Sequence, residues 1–405
     1  MRIRPFQGLR PKPDHAATVA SLPYDVVNRA EAKELAAGNR NSFLRVVRAE
    51  IDLPESVDAY DASVYEQAKK NLQELQDRDV IEREGEPTIY VYQQRMGDHV
   101  QRGIVAVCNI EDYENDLIKK HEKTRQAKED DRTRLNGVLR AHPGPVFLTY
   151  KDEAAINQIV DETVKSEPFI DFVAPDEVGH TVWKISGNEA LVEAFKAVDV
   201  FYVADGHHRS ASAARVGKEL REANPSHTGD EGYNWFLNVL FPASELKVLP
   251  YNRLVYTLNG QSKEAFLEAL NKVVTVTEGA EPSPDAVGKL SMYLDGKWYG
   301  MDLSGLPAND PISKLDVSKL QDHILAPLLG IADPRTSDDI EFIGGIRGTE
   351  ELEKRVNNGD GAVAFSMYPV TVEQLMEIAD AGQIMPPKST WFEPKLRSGL
   401  FVNTF

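Results

Sequence analysis

The fold of the central part of this chain is decided by the stretch Val198-Asp199-Val200-Phe201-Tyr202-Val203-Ala204-Asp205-Gly206-His207-His208-Arg209-Ser210. An apolar run precedes the Asp-Gly pair, and residues 211–216, which are rich in helix formers, follow it. This order predicts a strand, a tight turn and a helix. The turn glycine lets the backbone approach a ligand closely. The first turn of a helix offers free N–H groups and the positive end of the helix dipole, so the sequence predicts a phosphate-binding turn.

The side chains of this turn add further chemistry. Arg209 offers a bidentate donor, and His207 and His208 offer polar contacts or proton transfer. The simpler alternative is a pair of surface histidines at a helix start, where Asp205 and Ser210 serve only as capping residues. The apolar strand before the turn favours ligand binding.

The composition limits the class of protein. A chain of 405 residues predicts two or three packed units, and a hydrophobic fraction of 41% with a charged fraction of 27% is ordinary for a globular protein. The net charge of −18 argues against nucleic acid or an anionic membrane as a partner, whereas a local basic pocket for a phosphorylated small molecule remains compatible. Cys108 is the single cysteine, which excludes an intrachain disulfide and a multi-cysteine zinc site. Residues 1–6 lack an apolar signal core and no 18-residue apolar run follows, so we expect a cytoplasmic location.

The pattern along the chain predicts a mixed α/β (α+β) protein in three parts with soft boundaries. These are residues 1–108, a core at 109–255 that carries the turn, and residues 256–405, whose tail loop is expected to return to the site. Individual elements are predicted as a strand at 42–47, a long helix at 57–79, a charged and partly solvated helix at 124–139, and a hairpin across Asp295-Gly296.

Two other segments carry candidate functional residues. Residues 119–125 place Glu122 among several cations, which lower the pKa of a carboxylate and keep it ionised, as a base for a hydroxyl requires. Residues 385–395 form a proline-stiffened loop in which Lys388, Ser389 and Thr390 suit phosphate oxygens. A charged helix end and an ordered C-terminal loop are the simpler alternatives. Gly344–Gly348 is interpreted as a turn that starts a helix, and the chain has no Walker motif or dinucleotide fingerprint.

Together these segments resemble a known group of proteins. Residues 203–209 are similar to the phosphate-binding turn of the ParB/sulfiredoxin superfamily, and more closely to the DGHHR motif of the ParB-like free serine kinases. Lys120-His121-Glu122 resembles the segment that carries their catalytic glutamate, and Pro387-Lys388-Ser389-Thr390 resembles their C-terminal SPKTT loop. Over its whole length the chain resembles the bacterial family DUF1015, by Pro23-Tyr24-Asp25-Val26, Ser42-Phe43-Leu44-Arg45, His121-Glu122-Lys123-Thr124, Asp131-Arg132 and the long tail.

The resemblance implies a ParB-like core and phosphoryl transfer from a nucleotide, ATP by default or ADP, to the hydroxyl of free L-serine, giving O-phosphoserine. It implies that Mg²⁺ takes part, held by Asp205 unless that residue orients the acceptor. Glu122 would be the base, and the implied catalytic set is Glu122, Asp205 and His208. The residues implied to hold the nucleotide are Gly206, His207, Arg209, Ser210, Lys388, Ser389 and Thr390, with His208 also in the phosphate cradle.

Two departures from the pattern and two other functions remain open. The chain reads Tyr251-Asn252-Arg253 where the family pattern has Thr-His-Arg, and Pro386-Pro387-Lys388 where it has Ser-Pro-Lys. The first alternative function is a nucleotide-binding regulator or switch that phosphorylates no acceptor, and the second is a degenerate member with a structural role. A homo-oligomer is compatible with the sequence.

Overall fold

The computed structural model describes all 405 residues as two compact units. The first unit comprises Met1–Leu246 together with Pro394–Phe405, and the second comprises Lys247–Glu393. Both contain helices and sheets, so the predicted mixed α/β class is confirmed. None of the helices combines the length and the apolar character that crossing a membrane requires.

The strands are, in chain order, β1 (Ile3–Arg4), β2 (Leu9–Pro11), β3 (Ile81–Arg83), β4 (Tyr90–Met96), β5 (His99–Asn109), β6 (Ile118–Lys119), β7 (Ala141–His142), β8 (Val146–Tyr150), β9 (Ile170–Val173), β10 (Gly179–Lys184), β11 (Phe201–Asp205), β12 (Trp235–Pro242), β13 (Lys247–Leu249), β14 (Tyr251–Val255), β15 (Thr275–Glu278), β16 (Lys289–Leu294), β17 (Lys297–Asp302), β18 (Ile340–Gly344), β19 (Val363–Met367), β20 (Trp391–Glu393) and β21 (Asn403–Thr404).

The α-helices are α1 (Ala16–Val19), α2 (Arg29–Leu35), α3 (Leu44–Val47), α4 (Ala62–Asp77), α5 (Ile110–Glu114), α6 (Gln126–Leu139), α7 (Ala154–Thr163), α8 (Asn188–Ala194), α9 (His207–Ala223), α10 (Lys263–Asn271), α11 (Asp316–Leu320), α12 (Ala326–Leu329), α13 (Glu350–Asn357) and α14 (Val372–Asp380). A π-helical turn, Gln321–Leu325, joins α11 to α12.

A nine-stranded mixed sheet forms the centre of the first unit. Its order is β6-β11-β8-β12-β5-β4-β10-β9, and β1 pairs with β5 beside this path. The strand β11 runs parallel to β6 and antiparallel to β8, and its register with β8 shifts between Val203 and Asp205. All strand residues of β11 before Asp205 are buried. Because these residues are buried, the strand is held firmly in the sheet, and Asp205 lies at its end, next to the turn.

Two apolar clusters support the first unit. One lies on the sheet and includes Ile104, Phe201 and Phe236. The other is built mainly by the N-terminal helices and includes Phe43 and Leu72. The tail of the chain is part of this unit, because the backbones of Leu9 and Val402 exchange two 2.9 Å hydrogen bonds and β21 pairs with β7.

The second unit is built on a six-stranded antiparallel sheet of order β15-β17-β16-β19-β14-β18. A separate pair, β13 with β20, connects the start of this unit to its end. The buried side chains of Leu254, Ile343 and Leu352 are among those that form its core.

Candidate functional site

The strand, turn and helix predicted around Gly206 are present. β11 ends at Asp205, and Gly206 adopts φ 98° and ψ 32°, a left-handed conformation that favours glycine. A Cβ atom at this position would lie 3.0 Å from Arg209 Nε. The 17-residue helix α9 begins at the next residue, and no side chain caps its first turn. The turn therefore presents a helix N-terminus of the kind that binds anions.

Asp205 is held between two cations. Its Oδ2 lies 3.3 Å from Lys395 Nζ and 3.8 Å from Arg209 Nη2. Burial by itself would raise the pKa of Asp205, but the charges of Lys395 and Arg209 outweigh burial and hold this pKa well below its usual range. Asp205 is thus a carboxylate at all physiological pH values, with two cations beside it.

The guanidinium of Arg209 is fixed by protein groups and keeps one donor unused. Its Nη1 donates to the carbonyl oxygen of Pro145, and its side chain is only 11% exposed. Its Nε is buried and has no protein partner. A buried donor without a partner costs free energy unless a ligand or water meets it.

The predicted base, Glu122, lies beside the start of α9. It sits in the loop between β6 and α6, and its Oε2 is 3.7 Å from His207 Nδ1. Its side chain is 53% exposed, whereas that of His207 is 5% exposed. The sheet therefore brings together the segment around Glu122 and the turn, two motifs that are far apart in the chain.

A second buried histidine packs behind this pair. His121 contacts the ring of His207 edge-on, with ring centroids 4.5 Å apart. Burial lowers the pKa of His121 to about 4, although Asp205 and a hydrogen bond with the backbone of Val203 act in the opposite sense. Burial, together with the proximity of His121, lowers the pKa of His207 as well. Both imidazoles are therefore neutral at pH 7, and each has one ring nitrogen buried without a partner.

His208 bonds to a different segment of the chain. Its Nε2 accepts a 3.0 Å hydrogen bond from the backbone N–H of Arg125, so the neutral ring carries its hydrogen on Nδ1. Burial lowers the pKa of His208, and the nearby carboxylate of Asp25 counters this in part. His208 thus ties the loop after Glu122 to the turn.

The remaining predicted residues use their hydroxyl groups locally or lie in the second unit. Ser210 is buried and donates to the carbonyl of Gly206 over 3.1 Å. In the second unit, Ser389 donates to the carbonyl of Pro386 over 2.6 Å, while Lys388 is exposed. Thr390 is partly buried. The roles predicted for these residues stay predictions.

Tyr24 and Arg132, two of the residues quoted for the family resemblance, lie near Arg209 of the turn. The guanidinium of Arg132 stacks on Tyr24 at 4.0 Å from the ring centroid. Both line a cavity with about 430 Å³ of empty space, part of it open to solvent, and Arg209 lines it too. One residue quoted from the N-terminal segment and one from α6 therefore share a cavity with the first turn of α9.

Asp205 is the one carboxylate within the turn. The residues around it show whether this turn could hold the magnesium ion that the resemblance implies. Its Oδ2 faces the ammonium of Lys395, and nowhere in the chain do three or more His, Cys, Asp or Glu side chains form a group that could hold a metal ion. Mg²⁺ commonly takes one or two carboxylates and completes its shell with water and substrate phosphates. The residues present fit Mg²⁺ only in that form, with Asp205 as a single protein ligand.

Two residues of this site are absent from the set predicted from the sequence. In the sequence, Lys395 is one more lysine of the tail, and His121 is the neighbour of Glu122. A lysine that pairs with Asp205 from the other end of the chain gives no local signal. The pairing depends on the return of the tail to the first unit.

Comparisons with known proteins give a family and a set of remote structural likenesses. The model of the family described as protein of unknown function DUF1015 matches residues 3–318. No curated protein matches the chain. Among solved structures, a free serine kinase in complex with AMP is similar over 73% of this chain and 92% of its own, with 16% identity and a TM-score of 0.37.

Two further structures are similar at the same level. A conserved hypothetical protein from Pyrococcus furiosus covers 74% of this chain and 95% of its own, with 15% identity and a TM-score of 0.36. C-terminally truncated SbnI from Staphylococcus aureus is similar over 74% of this chain and 87% of its own, with 12% identity and a TM-score of 0.37.

Proposed function

This chain belongs to the DUF1015 family of proteins of unknown function, and we propose that it is a small-molecule kinase that transfers a phosphoryl group from ATP or ADP to the hydroxyl of free L-serine. The observation that carries the proposal is the 3.7 Å approach of Glu122 Oε2 to His207 Nδ1 at the start of α9. The carboxylate proposed as the base thereby lies next to a helix N-terminus that suits an anion. Phosphoryl transfer requires these two parts together with charge neutralisation.

In the proposed reaction the serine hydroxyl oxygen attacks the terminal phosphorus of the nucleotide. A new P–O bond forms, the P–O bond to the nucleotide breaks, and the hydroxyl proton passes to the Glu122 carboxylate. The N–H groups at Gly206 and His207 and the cations Arg209 and Lys395 would neutralise the phosphate oxygens. Half of the Glu122 side chain is exposed, so a small acceptor can reach it.

The metal would supply charge neutralisation on the phosphates, with Asp205 as its protein ligand. The neutral state of His207 suits this arrangement, because a neutral imidazole beside Glu122 leaves the carboxylate free to accept a proton. His208 would hold the loop after Glu122 in place through the N–H of Arg125. Ser210 would keep the turn rigid, and Lys388, Ser389 and Thr390 are proposed to contact phosphate.

The test is direct detection of O-phosphoserine by mass spectrometry after incubation with Mg²⁺, L-serine and either ATP or ADP. Glu122→Gln should reduce product formation by about 10²-fold or more, the usual contribution of a general base. Glu111→Gln is the matched control, since its side chain is 51% exposed and lies in the same unit. Tight nucleotide binding by the wild type without any product would overturn the kinase and favour a nucleotide-binding regulator.

A further inference from the structure

Two glutamines of the central sheet are completely buried beside the tail of the chain. Gln94 on β4 and Gln101 on β5 are both 0% exposed and are paired directly across the two strands. The Nε2 of Gln101 donates to the Oε1 of Gln94 over 3.0 Å, and the Nε2 of Gln94 donates to the carbonyl oxygen of Lys395 over 2.9 Å. Glutamine is mostly an exposed residue, because a buried amide costs free energy unless its polar atoms find partners. Here the partners form a series of hydrogen bonds that ends on the tail.

The chemistry of the partners sets the direction of these bonds. A carbonyl oxygen can only accept, so Gln94 must turn its NH2 group to Lys395 and its oxygen to Gln101. Gln101 then donates with its own NH2 group, and its Oε1 lies 3.2 Å from His99 Nε2, which donates to it. The opposite orientation of the Gln94 amide would bring its oxygen against the carbonyl oxygen of Lys395. The Gln94 donor is therefore committed to the tail.

A second set of buried bonds holds the tail two residues further on. Arg397 is 4% exposed, its Nε donates to the Nε2 of His180 over 3.1 Å, and its Nη2 donates to Asp176 over 2.6 Å. The Nδ1 of His180 lies 2.7 Å from the hydroxyl of Tyr92. His180 on β10 is paired directly with Gln94, and directly paired residues share one face of a sheet. The tail is thus held at two points by polar side chains of one sheet face.

The bond from Gln94 reaches the residue that carries a cation of the candidate site. Lys395 presents its Nζ to the Oδ2 of Asp205 at 3.3 Å, and its side chain is 15% exposed. The lysine side chain is a flexible four-carbon stem, so the position of its ammonium depends on how firmly its backbone is held. Gln94 supplies a bond to that backbone from the interior of the sheet.

We infer that Gln94 is a positioning residue of the candidate site, which holds Lys395 where its ammonium pairs with Asp205 and can meet a phosphate oxygen. Gln101 holds the Gln94 amide in the orientation that this requires. The inference rests on the proposed function for the phosphate that Lys395 would neutralise. The ion pair between Lys395 and Asp205 exists without a substrate, so the positioning role can be measured separately from the reaction.

The first test measures the ion pair in the full chain without a ligand. The coupling between Asp205→Asn and Lys395→Met is obtained from urea unfolding at pH 7, once with Gln94 and once with Gln94→Met, which keeps the side-chain length and removes the donor. The coupling should fall by at least about half in the Gln94→Met background. Gln93→Met is the matched control, because the Gln93 side chain lies on the other face of β4 and accepts from Arg102 over 2.9 Å. It should leave the coupling at its full value.

A purely structural Gln94 would give a different result. Gln94→Met would then lower the stability of all four proteins of the cycle equally and leave the coupling unchanged, and the inference would be wrong. If Gln94→Met does not fold, Gln101→Met replaces it, because it leaves the Gln94 donor in place and removes the bond that orients it. The coupling should fall in Gln101→Met as well, and full coupling in that variant would overturn the inference.

The second test follows O-phosphoserine formation and separates this inference from the proposed function. Lys395→Met should slow product formation by about tenfold or more and Gln94→Met by about threefold or more, as expected when a hydrogen bond to a charged group is lost or weakened. In the Lys395→Met background, Gln94→Met should add no further loss, since its effect passes through Lys395. If no product forms but Gln94→Met reduces the coupling, the positioning role stands and the kinase falls. If product forms and Gln94→Met has the rate and the coupling of the wild type, the kinase stands and the positioning role falls.

Discussion

Gly206 sets the geometry of the turn at the scale of a single residue. Its φ of 98° is costly for any residue with a side chain, and a Cβ would meet the guanidinium of Arg209 at 3.0–3.1 Å. The turn between Asp205 and α9 therefore requires a residue without a Cβ atom at position 206. The sequence shows both Gly206 and Arg209, but not that the arginine side chain fills the space beside the glycine.

Gly206→Ala should lower the free energy of unfolding by about 1–3 kcal/mol, the usual cost of a forced left-handed residue, and should weaken nucleotide binding by displacing Arg209. Urea unfolding and calorimetric titration with ATP measure the two effects. Gly187→Ala is the control, because Gly187 also begins a helix, α8, with φ 81° but has no atom within 4 Å of its added Cβ. Nucleotide affinity that is equal in both variants would show that Arg209 has no part in binding.

The ion pair between Asp205 and Lys395 predicts a pH dependence of stability. Since the folded-state pKa of Asp205 is lowered, its contribution to stability is present above the unfolded pKa of about 3.9 and is lost as the pH falls through the lower folded value. Asp205→Asn should therefore destabilise the protein at pH 7, and the difference from the wild type should shrink below about pH 4. Urea unfolding at pH 7, 5 and 3 measures it.

A double-mutant cycle with Lys395→Met isolates the pair from the other partners of Asp205. The coupling energy at pH 7 should be about 1 kcal/mol and should decrease as the pH falls below about 4. A coupling of zero at pH 7, or one that grows as the pH falls, would show that Lys395 does not stabilise the carboxylate.

At the scale of elements, α6 is the helix predicted for the charged segment 124–139. The segment was expected to be solvated in part, and Arg134 is exposed, whereas Asp131, Arg132 and Thr133 are buried. Arg132 bonds to Asp131 and stacks on Tyr24, and Asp131 accepts from the hydroxyl of Tyr65 over 3.0 Å. A charged side chain stays in solvent only while no partner is available, and here the partners come from α6 itself, from a turn and from α4.

Arg132→Met should lower the free energy of unfolding by about 3 kcal/mol or more, because it leaves the buried carboxylate of Asp131 without its counter-charge. The matched control is Arg134→Met, two residues further along the same helix, where the side chain is exposed and the loss should stay below about 0.5 kcal/mol. Equal losses in urea unfolding would contradict the buried pair.

The segment 42–47 shows why short apolar runs are ambiguous. It was predicted as a strand, but the prediction was wrong and α3 occupies Leu44–Val47. Phe43, Leu44, Val46 and Val47 are all buried, without the alternation that a half-exposed strand would show. By contrast, the hairpin of β16 and β17 is confirmed, because the Asp295-Gly296 turn specifies its own geometry with positive φ at both residues.

At the scale of the whole molecule, the last twelve residues belong to the unit built by the first 246. Leu400, Phe401 and Val402 are 0–2% exposed there. The tail also supplies Lys395 to Asp205 and pairs β21 with β7. The first unit is therefore incomplete until the end of the chain is available.

A chain that ends at Glu393 should lose about 5 kcal/mol or more of stability in the first unit, from the burial of three large apolar side chains alone. Hydrogen exchange should show reduced protection in β5 and β12. A peptide of residues 394–405 added in trans should restore protection in part, whereas the same residues in scrambled order should not. Unchanged protection in the truncated chain would show that the tail adds nothing to the stability of this unit.

The sequence by itself determined the strand, the glycine turn and the helix at 201–223, the family, and the residue types that suit phosphate chemistry. These features are local, because apolar runs, a glycine and helix formers act on neighbouring residues. Only the tertiary structure decided that Glu122 faces His207, that Lys395 pairs with Asp205, and that Gln94 holds the carbonyl of Lys395. Those contacts join distant parts of the chain, and they depend on the strand order of each sheet and on the return of the tail, which no local pattern encodes.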